Sequence, residues 1–456
     1  MEISACLVPR ASSLAAAMTA IERAQTGLAL VVNTDGALVG VLSDGDIRRA
    51  IIAGAHPHDP IERFLTADVL ALPAAAAVDQ RRALGEHPSF LARRPRWIPL
   101  LDERGHPRGL LPRAEVEPRA AAVPEPPPLI TVFGGAGYIG SVLVRQLLDD
   151  GYRVRVFDHV YYDKTSLADV AAHPRFEMVV GDVRHSDEVV PALVGADAVV
   201  HLAELVGDPL CAHDPLMTLQ INYLATATLV LACRYLQLNR FVYISSCSVY
   251  GASADPDAIL TEESPLSPVS LYAKLKIEAE RVIAQHLHDA FAPCILRLGT
   301  VFGLSPRPRF DLVVNTLTAQ AVNERAIAVF GGDQWRPHVH VSDVARAIRC
   351  CLLLPLETVR GEVFNIVTEN LTVDQVAALV AEEVPGTVIN RSETTVDRRN
   401  YRVSSEKARR VLGFDPRISV REGIREIAAA LRSGAITNYA DPRYSNILAF
   451  TTKGGA

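Results

Sequence analysis

Residues 129–158 read LITVFGGAGYIGSVLVRQLLDDGYRVRVFD, and no other stretch narrows the fold of this chain so far. LITVF is a short apolar run rich in β-branched and aromatic residues, the composition of a strand covered on both faces. It passes directly into Gly134-Gly135-Ala136-Gly137-Tyr138-Ile139-Gly140. An amphipathic helical pattern follows, ending at Gly151, and then a second strand, RVRVFD. Glycines at 134, 137 and 140 allow a tight strand-to-helix turn, close backbone approach to a pyrophosphate, and close helix–strand packing. The helix N-terminus, including Tyr138 and Ile139, offers free N–H groups to the same anion. The stretch thus predicts the first βαβ unit of a parallel sheet, with a phosphate-binding turn at its carboxyl edge.

Asp158 lies eighteen residues beyond Gly140, near the separation expected of the acid that accepts hydrogen bonds from an adenine ribose. A carboxylate there repels a 2′-phosphate, which favours NAD over NADP. Strand and helix then keep alternating. FEMVVGDV (176–183), AVVHLAE (198–204) and RFVYISSCSVYG (240–251) read as further strands, with the helical NYLATATLVLACRYLQ between the last two. Such regular alternation predicts an α/β fold with a doubly wound parallel sheet and its ligand at the carboxyl ends of the strands. FNIVTENLTVDQVAALVAEEV and SEKARRVLGF read as strands and helices of a smaller C-terminal substrate lobe. The final NYADPRYSNILAFTTKGGA has no clear periodicity and reads as a loose tail or one that packs on a neighbouring subunit.

Upstream, residues 115–128, EVEPRAAAVPEPPP, hold five prolines in fourteen positions and read as an interdomain linker. They divide the chain into a front unit, 1–114, and a large one, 129–456. The front unit carries one pattern twice, ALVVNTDGALVGV (29–41) and WIPLLDERGHPRGLL (97–111), each a strand, a glycine-bearing turn and a strand. Lys+Arg 46 against Asp+Glu 52 leaves a net charge of −6, so no global positive field invites nucleic acid or an anionic membrane. No uninterrupted apolar stretch reaches the ~18 residues of a membrane span, and MEISACLVPRASS lacks the basic and apolar regions of a signal peptide. Seven cysteines form no CxxC pair, so no metal site is expected and the thiols read as structural ones in a cytoplasmic protein.

Tyr272-Ala-Lys-Leu-Lys276 opens a helix after the loop ESPLSPVS. Residues i and i+4 share a helix face, so the phenol of Tyr272 and the ammonium of Lys276 can lie side by side. Lowering a tyrosine from a pKa of about 10 to about 7 takes roughly 4 kcal/mol of preferential phenolate stabilisation. A unit charge at about 4 Å and an effective dielectric of about 20 supplies that order of energy before desolvation is counted. By itself the pair also suits a solvated helix face; its position downstream of the nucleotide turn is what points to chemistry.

Taken in order, the turn at 134–140, HLAE at 201–204, SSCSVYG at 245–251, YAKLK at 272–276, LRLGTVFG at 296–303 and WRPHVHVSDVA at 335–345 resemble the extended short-chain dehydrogenase/reductase family. The likeness is to its nucleotide-sugar epimerase/dehydratase branch, covers about residues 129–430, and implies a Rossmann sheet. It implies a triad of Ser246, Tyr272 and Lys276, with Ser245 and Ser248 as neighbouring candidates for the hydroxyl. It also implies that Asp182 and Val183 flank the adenine, that Leu202 and Ala203 lie by the pyrophosphate, and that Tyr272 and Lys276 serve the cofactor too. Thr300 would line the nicotinamide pocket. Ser248, Thr300, Arg336 and either Arg398 or Arg399 would meet the substrate, the arginines at its diphosphate. Two departures stand out. Glu204 replaces the small residue usual after HLA, and Cys247-Ser248 stand where 4,6-dehydratases of this branch carry an Asp-Glu pair.

The front unit resembles a CBS domain pair. In that family Ser43-x-x-Asp46 would place a hydroxyl near a phosphate and a carboxylate on the ribose of a regulatory adenine nucleotide; equally, the two residues can cap the helix that follows. The second copy has Pro112 and Glu115 at the equivalent positions. The expectation is an NAD-dependent epimerase of a nucleotide-activated sugar, acting at C4 through a transient ketone, with a homodimer common in the family. The alternatives are a dehydrogenase, ketoreductase or dehydratase of the same family, or a non-catalytic sensor of NAD and adenylate.

Overall fold

The computed structural model describes residues 3–24, 26–43, 46–47, 50–51, 54–76, 80, 84, 97–112, 127–252, 258–288, 291–392 and 399–452. Glu115 and most of the proline-rich stretch, like Arg398, lie outside them. The chain divides into two compact units, Met1–Ala122 and Val123–Ala456.

The first unit is built twice over. In one copy Leu7–Pro9 pairs parallel with Leu28–Val32, which pairs antiparallel with Leu38–Ser43. In the other, Leu72–Pro73 pairs parallel with Trp97–Leu101, which pairs antiparallel with Pro107–Pro112. The hairpin turns carry Gly36 at φ +87 and Gly105 at φ +78, the left-handed region in which glycine meets no steric penalty. Register makes the copies comparable residue by residue: Ser43 faces the first residue of its partner strand, Leu28, as Pro112 faces Trp97.

The second unit is a seven-stranded, wholly parallel sheet. Its strands are β1 (Leu129–Phe133), β2 (Arg153–Asp158), β3 (Phe176–Val180), β4 (Ala198–His201), β5 (Arg240–Ser246), β6 (Ala292–Leu298) and β7 (Val363–Ile366). Their spatial order is β7-β6-β5-β4-β1-β2-β3. The order reverses direction between β1 and β4, and in a doubly wound sheet ligands bind at that switch point, beyond the carboxyl ends. One apolar layer packs Leu143, Leu147, Val344 and Ile348 against the sheet; the other packs Leu193, Leu229, Val230 and Ile283. Helix α1 (Tyr138–Asp149) follows β1, and helix α2 (Leu271–Gln285) precedes β6.

Several segments depart from the sequence reading. The FNI segment supplies β7, an edge strand of the main sheet, and Ala408, Leu412 and Phe414 of SEKARRVLGF join the main core rather than a lobe. An apolar run alone cannot say which sheet it enters. AVVHLAE stops being strand at His201. The final segment forms a helix, Asn446–Thr452, whose Phe450 is buried among Leu205, Leu210, Cys211 and Tyr272 of its own chain. Residues Pro215–Tyr235 are helical for 21 residues with a mean hydropathy of 1.5, long and apolar enough to cross a membrane by that measure. Polar residues interrupt the run and are bonded into the fold: Asn222 to Leu205, and Thr226 to His201.

The smaller lobe has its own core. Helices Val313–Glu324, Val373–Glu383 and Val420–Arg432 pack Leu317, Val376, Val380 and Ile424 together. A three-stranded sheet joins Thr300–Phe302, Trp335–His340 and Glu369–Thr372.

Candidate active site

The carboxyl edge of the sheet opens into two adjoining cavities of about 1010 and 140 Å³ that share Gly134, Gly137, Tyr162, Leu202 and Glu204. The larger is lined by the glycine turn through Tyr138, Ile139 and Gly140, and by Ser246, Ser248, Tyr272, Lys276, Thr300, Arg336 and Arg399. The smaller is lined by Asp158, Asp182, Val183, Leu202 and Ala203. Every described residue of the expected cofactor, catalytic and substrate set therefore borders one or other of these two cavities.

The glycine turn fits a dinucleotide on its own geometry. A Cβ at Gly134 would lie 2.6 Å from the amide nitrogen of Ala203, and one at Gly140 would lie 2.3 Å from the carbonyl oxygen of Gly134. Only glycine permits so close a turn. Gly137 is the N-cap of α1 and has no side chain to cap it, which leaves the first-turn N–H groups to the cavity. Asp158 steadies the turn by accepting from the amides of Ala136 at 2.9 Å and Val160 at 2.8 Å. Burial pushes its carboxyl up. For Asp182, burial alone would do the same, but hydrogen bonds from Arg184 outweigh it and hold this carboxyl low. The phenol of Tyr138 faces away from this chemistry, donating to the Gly303 carbonyl at 2.7 Å.

β5 delivers the hydroxyl and α2 the phenol. Ser246 is the last residue of β5, and its Oγ accepts from the Ser248 amide at 3.1 Å. It acts on the Tyr272 phenol in the sense that favours the phenolate, and both side chains line the larger cavity. Ser245 points elsewhere: its hydroxyl donates to Glu280, which is locked to buried Arg297. The Ser248 hydroxyl is buried and has no partner among the described residues. Ser270 caps α2 by accepting from the Ala273 amide, so Tyr272 falls in its first turn and Lys276 one turn later on the same face. The Lys276 ammonium lies 5.6 Å from the centre of the Tyr272 ring and 4.8 Å from that of Tyr243.

Lys276 is not alone with the phenol. It donates to the Ile244 carbonyl and pairs with the buried carboxylate of Glu204, which accepts from Tyr243 at 2.7 Å. Burial raises the Glu204 carboxyl, while Lys276 and Tyr243 offset part of that. Burial, then Glu204, Cys211 and Asp208, push Tyr272 well above the usual tyrosine range. The sequence marked Glu204 only as a departure. Its consequence is that the lysine's charge is matched inside the chain and is not wholly available to the phenolate.

On the substrate side, Arg336 is buried on the strand Trp335–His340, donates to Gln334 at 2.9 Å and also reaches the Arg399 carbonyl. Arg399 pairs with Asp208 at 3.2 Å. The dehydratase acid position is occupied by Cys247, a buried thiol that burial pushes up and that donates to the Arg297 carbonyl. Residues that the sequence reading missed are Tyr162, Asp208, Arg307, Arg309 and Asn446, all in the larger cavity, and Phe450 in the smaller. In the first unit, Ser43 and Asp46 bond each other: Ser43 Oγ donates to Asp46 Oδ2 at 2.6 Å and accepts from the Asp46 amide at 3.2 Å.

Comparison with known proteins places this geometry. A UDP-glucose 4-epimerase of Lactobacillus helveticus is 28% identical over 312 residues, spanning 63% of this chain and 92% of the relative. A dTDP-glucose 4,6-dehydratase of Streptomyces niveus is 29% identical over 311 residues, 65% of this chain and 90% of the relative. A crystal structure of UDP-glucuronic acid 4-epimerase from Bacillus cereus, with UDP-glucuronic acid and NAD, superposes with a TM-score of 0.61 at 25% identity, covering 67% of this chain and 99% of that one. Residues 6–53 match a CBS domain. Residues 130–367, over half of the chain, match the NAD dependent epimerase/dehydratase family, and the chain belongs to that family.

Proposed function

We propose that this NAD-dependent enzyme epimerises a nucleotide-activated sugar at C4 through a transient ketone. The observation that carries the reading is that Ser246, buried Tyr272 and Lys276 line one cavity of about 1010 Å³, with Lys276 one helical turn from the phenol and no carboxylate following Ser246. Tyr272 takes the proton of a sugar hydroxyl and later returns it. Ser246 donates to the oxygen as it becomes a carbonyl, and Lys276 steadies the phenolate while Glu204 balances its charge. NAD, when bound against the glycine turn and Asp158, supplies a positively charged acceptor that takes up and gives back the hydrogen and electron pair of the sugar C–H bond. Arg336 and Arg399 meet the nucleotide diphosphate with planar donor forks.

Dehydration needs an acid to protonate the leaving C6 hydroxyl, and the residue that would supply it is a buried cysteine. The test is a panel of UDP-, GDP-, CDP- and dTDP-sugars with and without added NAD, products being resolved by stereochemistry. Inversion at C4 without net NADH is the expected result. Net NADH release would replace the epimerase with a dehydrogenase, and loss of water would replace it with a dehydratase.

The same reading includes a homodimer. Leu216, Leu219, Leu224, Leu231 and Tyr235 are exposed apolar residues on one helical run, a patch that water disfavours. Light scattering of wild type and L231E tests it: a dimer that becomes a monomer is expected. Seven unbridged cysteines suit residence in the cytoplasm.

A further inference from the structure

The loop after the strand Thr300–Phe302 carries Arg307, Arg309 and Asp311, and these three are unequally provided for. Arg309 reaches Asp311 through hydrogen bonds of 2.9 and 3.0 Å, and Asp311 also accepts from the Asn446 amide. Arg307 has no such partner. It is 2% exposed, and its Nε and Nη2 make no hydrogen bond among the described residues. Its guanidinium lies 4.3 Å from the centre of the Tyr162 ring, whose own hydroxyl is buried without a partner among the described residues. Burial, and next the like charge of Arg309, lower its pKa to about 10.

A buried guanidinium without an anion is among the least favourable arrangements a fold can hold, so its retention points to a ligand that supplies the anion. The surroundings say which anion. Arg307, Arg309 and Tyr162 border the larger cavity together with Gly134, Gly137 and the uncapped first turn of α1. Tyr162, under the guanidinium, also borders the smaller cavity, which Asp158 lines. Asp163 and Asp311 act on Arg307 only at a distance, and Asp311 is already committed to Arg309. A planar fork across a cavity from free backbone N–H groups is complementary to phosphate oxygens.

We propose that Arg307, stacked on Tyr162, is a diphosphate-binding residue facing the glycine turn. The inference rests on the reading that this cavity takes a dinucleotide and a nucleotide sugar, both of which carry a diphosphate. Its place on Tyr162, a residue that borders both cavities, favours the dinucleotide as the source.

The test uses full-length wild type and R307M, with three probes measured by calorimetry: ADP-ribose, UDP and adenosine. R307M should bind ADP-ribose roughly 10- to 100-fold more weakly, the range of one charge-assisted pair. Adenosine, which has no phosphate, should bind within about twofold of wild type, and R307K should fall between the two proteins. A loss confined to UDP also upholds diphosphate binding and makes the nucleotide sugar its source. The unliganded melting temperature of R307M should match or exceed that of wild type, because a buried unpaired charge has been removed. Unchanged affinity for both ADP-ribose and UDP would overturn the proposal. So would an R307M that melts lower or does not fold, since Arg307 would then be structural. Sugar turnover is scored separately: epimerisation with R307M binding intact sinks the arginine alone, whereas lost ADP-ribose binding without any turnover spares it and sinks the activity.

Discussion

Ser43 and Ser246 stand at equivalent points of the two compact units. Each is the last residue of a strand, and each accepts a hydrogen bond from an amide two or three residues on, Asp46 at 3.2 Å and Ser248 at 3.1 Å. They differ in where the hydroxyl proton goes. Ser43 gives it to Asp46, its own local partner, and the polar groups close on each other. Ser246 presents it to a large cavity that it lines together with Tyr272, a residue of another element. The same cavity is lined by Ser248, Tyr162 and Arg307, whose Oγ, Oη and two guanidinium nitrogens have no partner among the described residues. Buried polar groups are ordinarily satisfied, so such a cluster at the end of a sheet marks where something else must bind. A motif tells which atoms are available, and satisfaction tells whether they are spent.

The sharpest way to break this contrast is Y272F. Removing a group that moves a proton in the transition state should lower kcat by roughly 10²- to 10⁴-fold. UDP affinity should stay within about twofold, since the ring and its packing remain. Conversion that persists at the wild-type rate would leave Ser246 with no chemical role and make the two serines alike.

Glycine at the turn comes next. In G140A the new Cβ would meet the Gly134 carbonyl oxygen at 2.3 Å, so backbone must shift. Overpacking of this kind costs about 1–3 kcal/mol. Weaker NAD binding with a lower melting temperature is expected, while AMP- or ATP-dependent behaviour of the first unit should not change.

E204Q sharpens the electrostatics. Glu204 raises the Tyr272 pKa, so removing its charge lowers that pKa and moves the acid limb of kcat/KM to lower pH. The groups facing the phenol are Lys276 on its own helix, Ser246 and Tyr243 on β5, Glu204 after β4, and Asp208 and Cys211 on Asp208–His213. A unit charge at about 5 Å and an effective dielectric of about 20 is worth roughly 3 kcal/mol, so a movement of about 1–2 pH units is expected. Ultraviolet titration of tyrosinate, with Y272F as the blank, reads the same shift without turnover. An acid limb that stays in place would mean that Glu204 only anchors Lys276.

Much of this is legible in the sequence. Strand, glycine turn, helix, strand and Asp158 occur within thirty residues, and local steric rules fix what they form. Tyr272 and Lys276 were legible because one helical turn joins them. Glu204 was visible only as an odd residue after HLA, since its meeting with Lys276 depends on how β4 and α2 pack 72 residues apart. Arg307 gave no signal: the basic pair in SPRPRF suits a surface loop equally well, and only burial separates its partnerless Nε from the satisfied Arg309. The FNI segment shows the converse limit, because its composition names a strand and says nothing of which sheet it enters.

The smallest expected effect lies in the first unit and separates a cap from a ligand site. If Ser43 is spent on Asp46, S43A loses a helix cap at a cost of about 1 kcal/mol. AMP and ATP should then leave the melting temperature and turnover rate of the full chain where they were. The second copy is an internal control, because Pro112 sits in Ser43's register with neither a hydroxyl nor an amide hydrogen to offer. A melting temperature that rises with AMP in wild type but not in S43A would show that an incoming nucleotide displaces Asp46 from the hydroxyl. In that case the partnerless atoms around Ser246 would no longer distinguish the units, since a site closed on itself could open to a ligand as readily as one left unsatisfied.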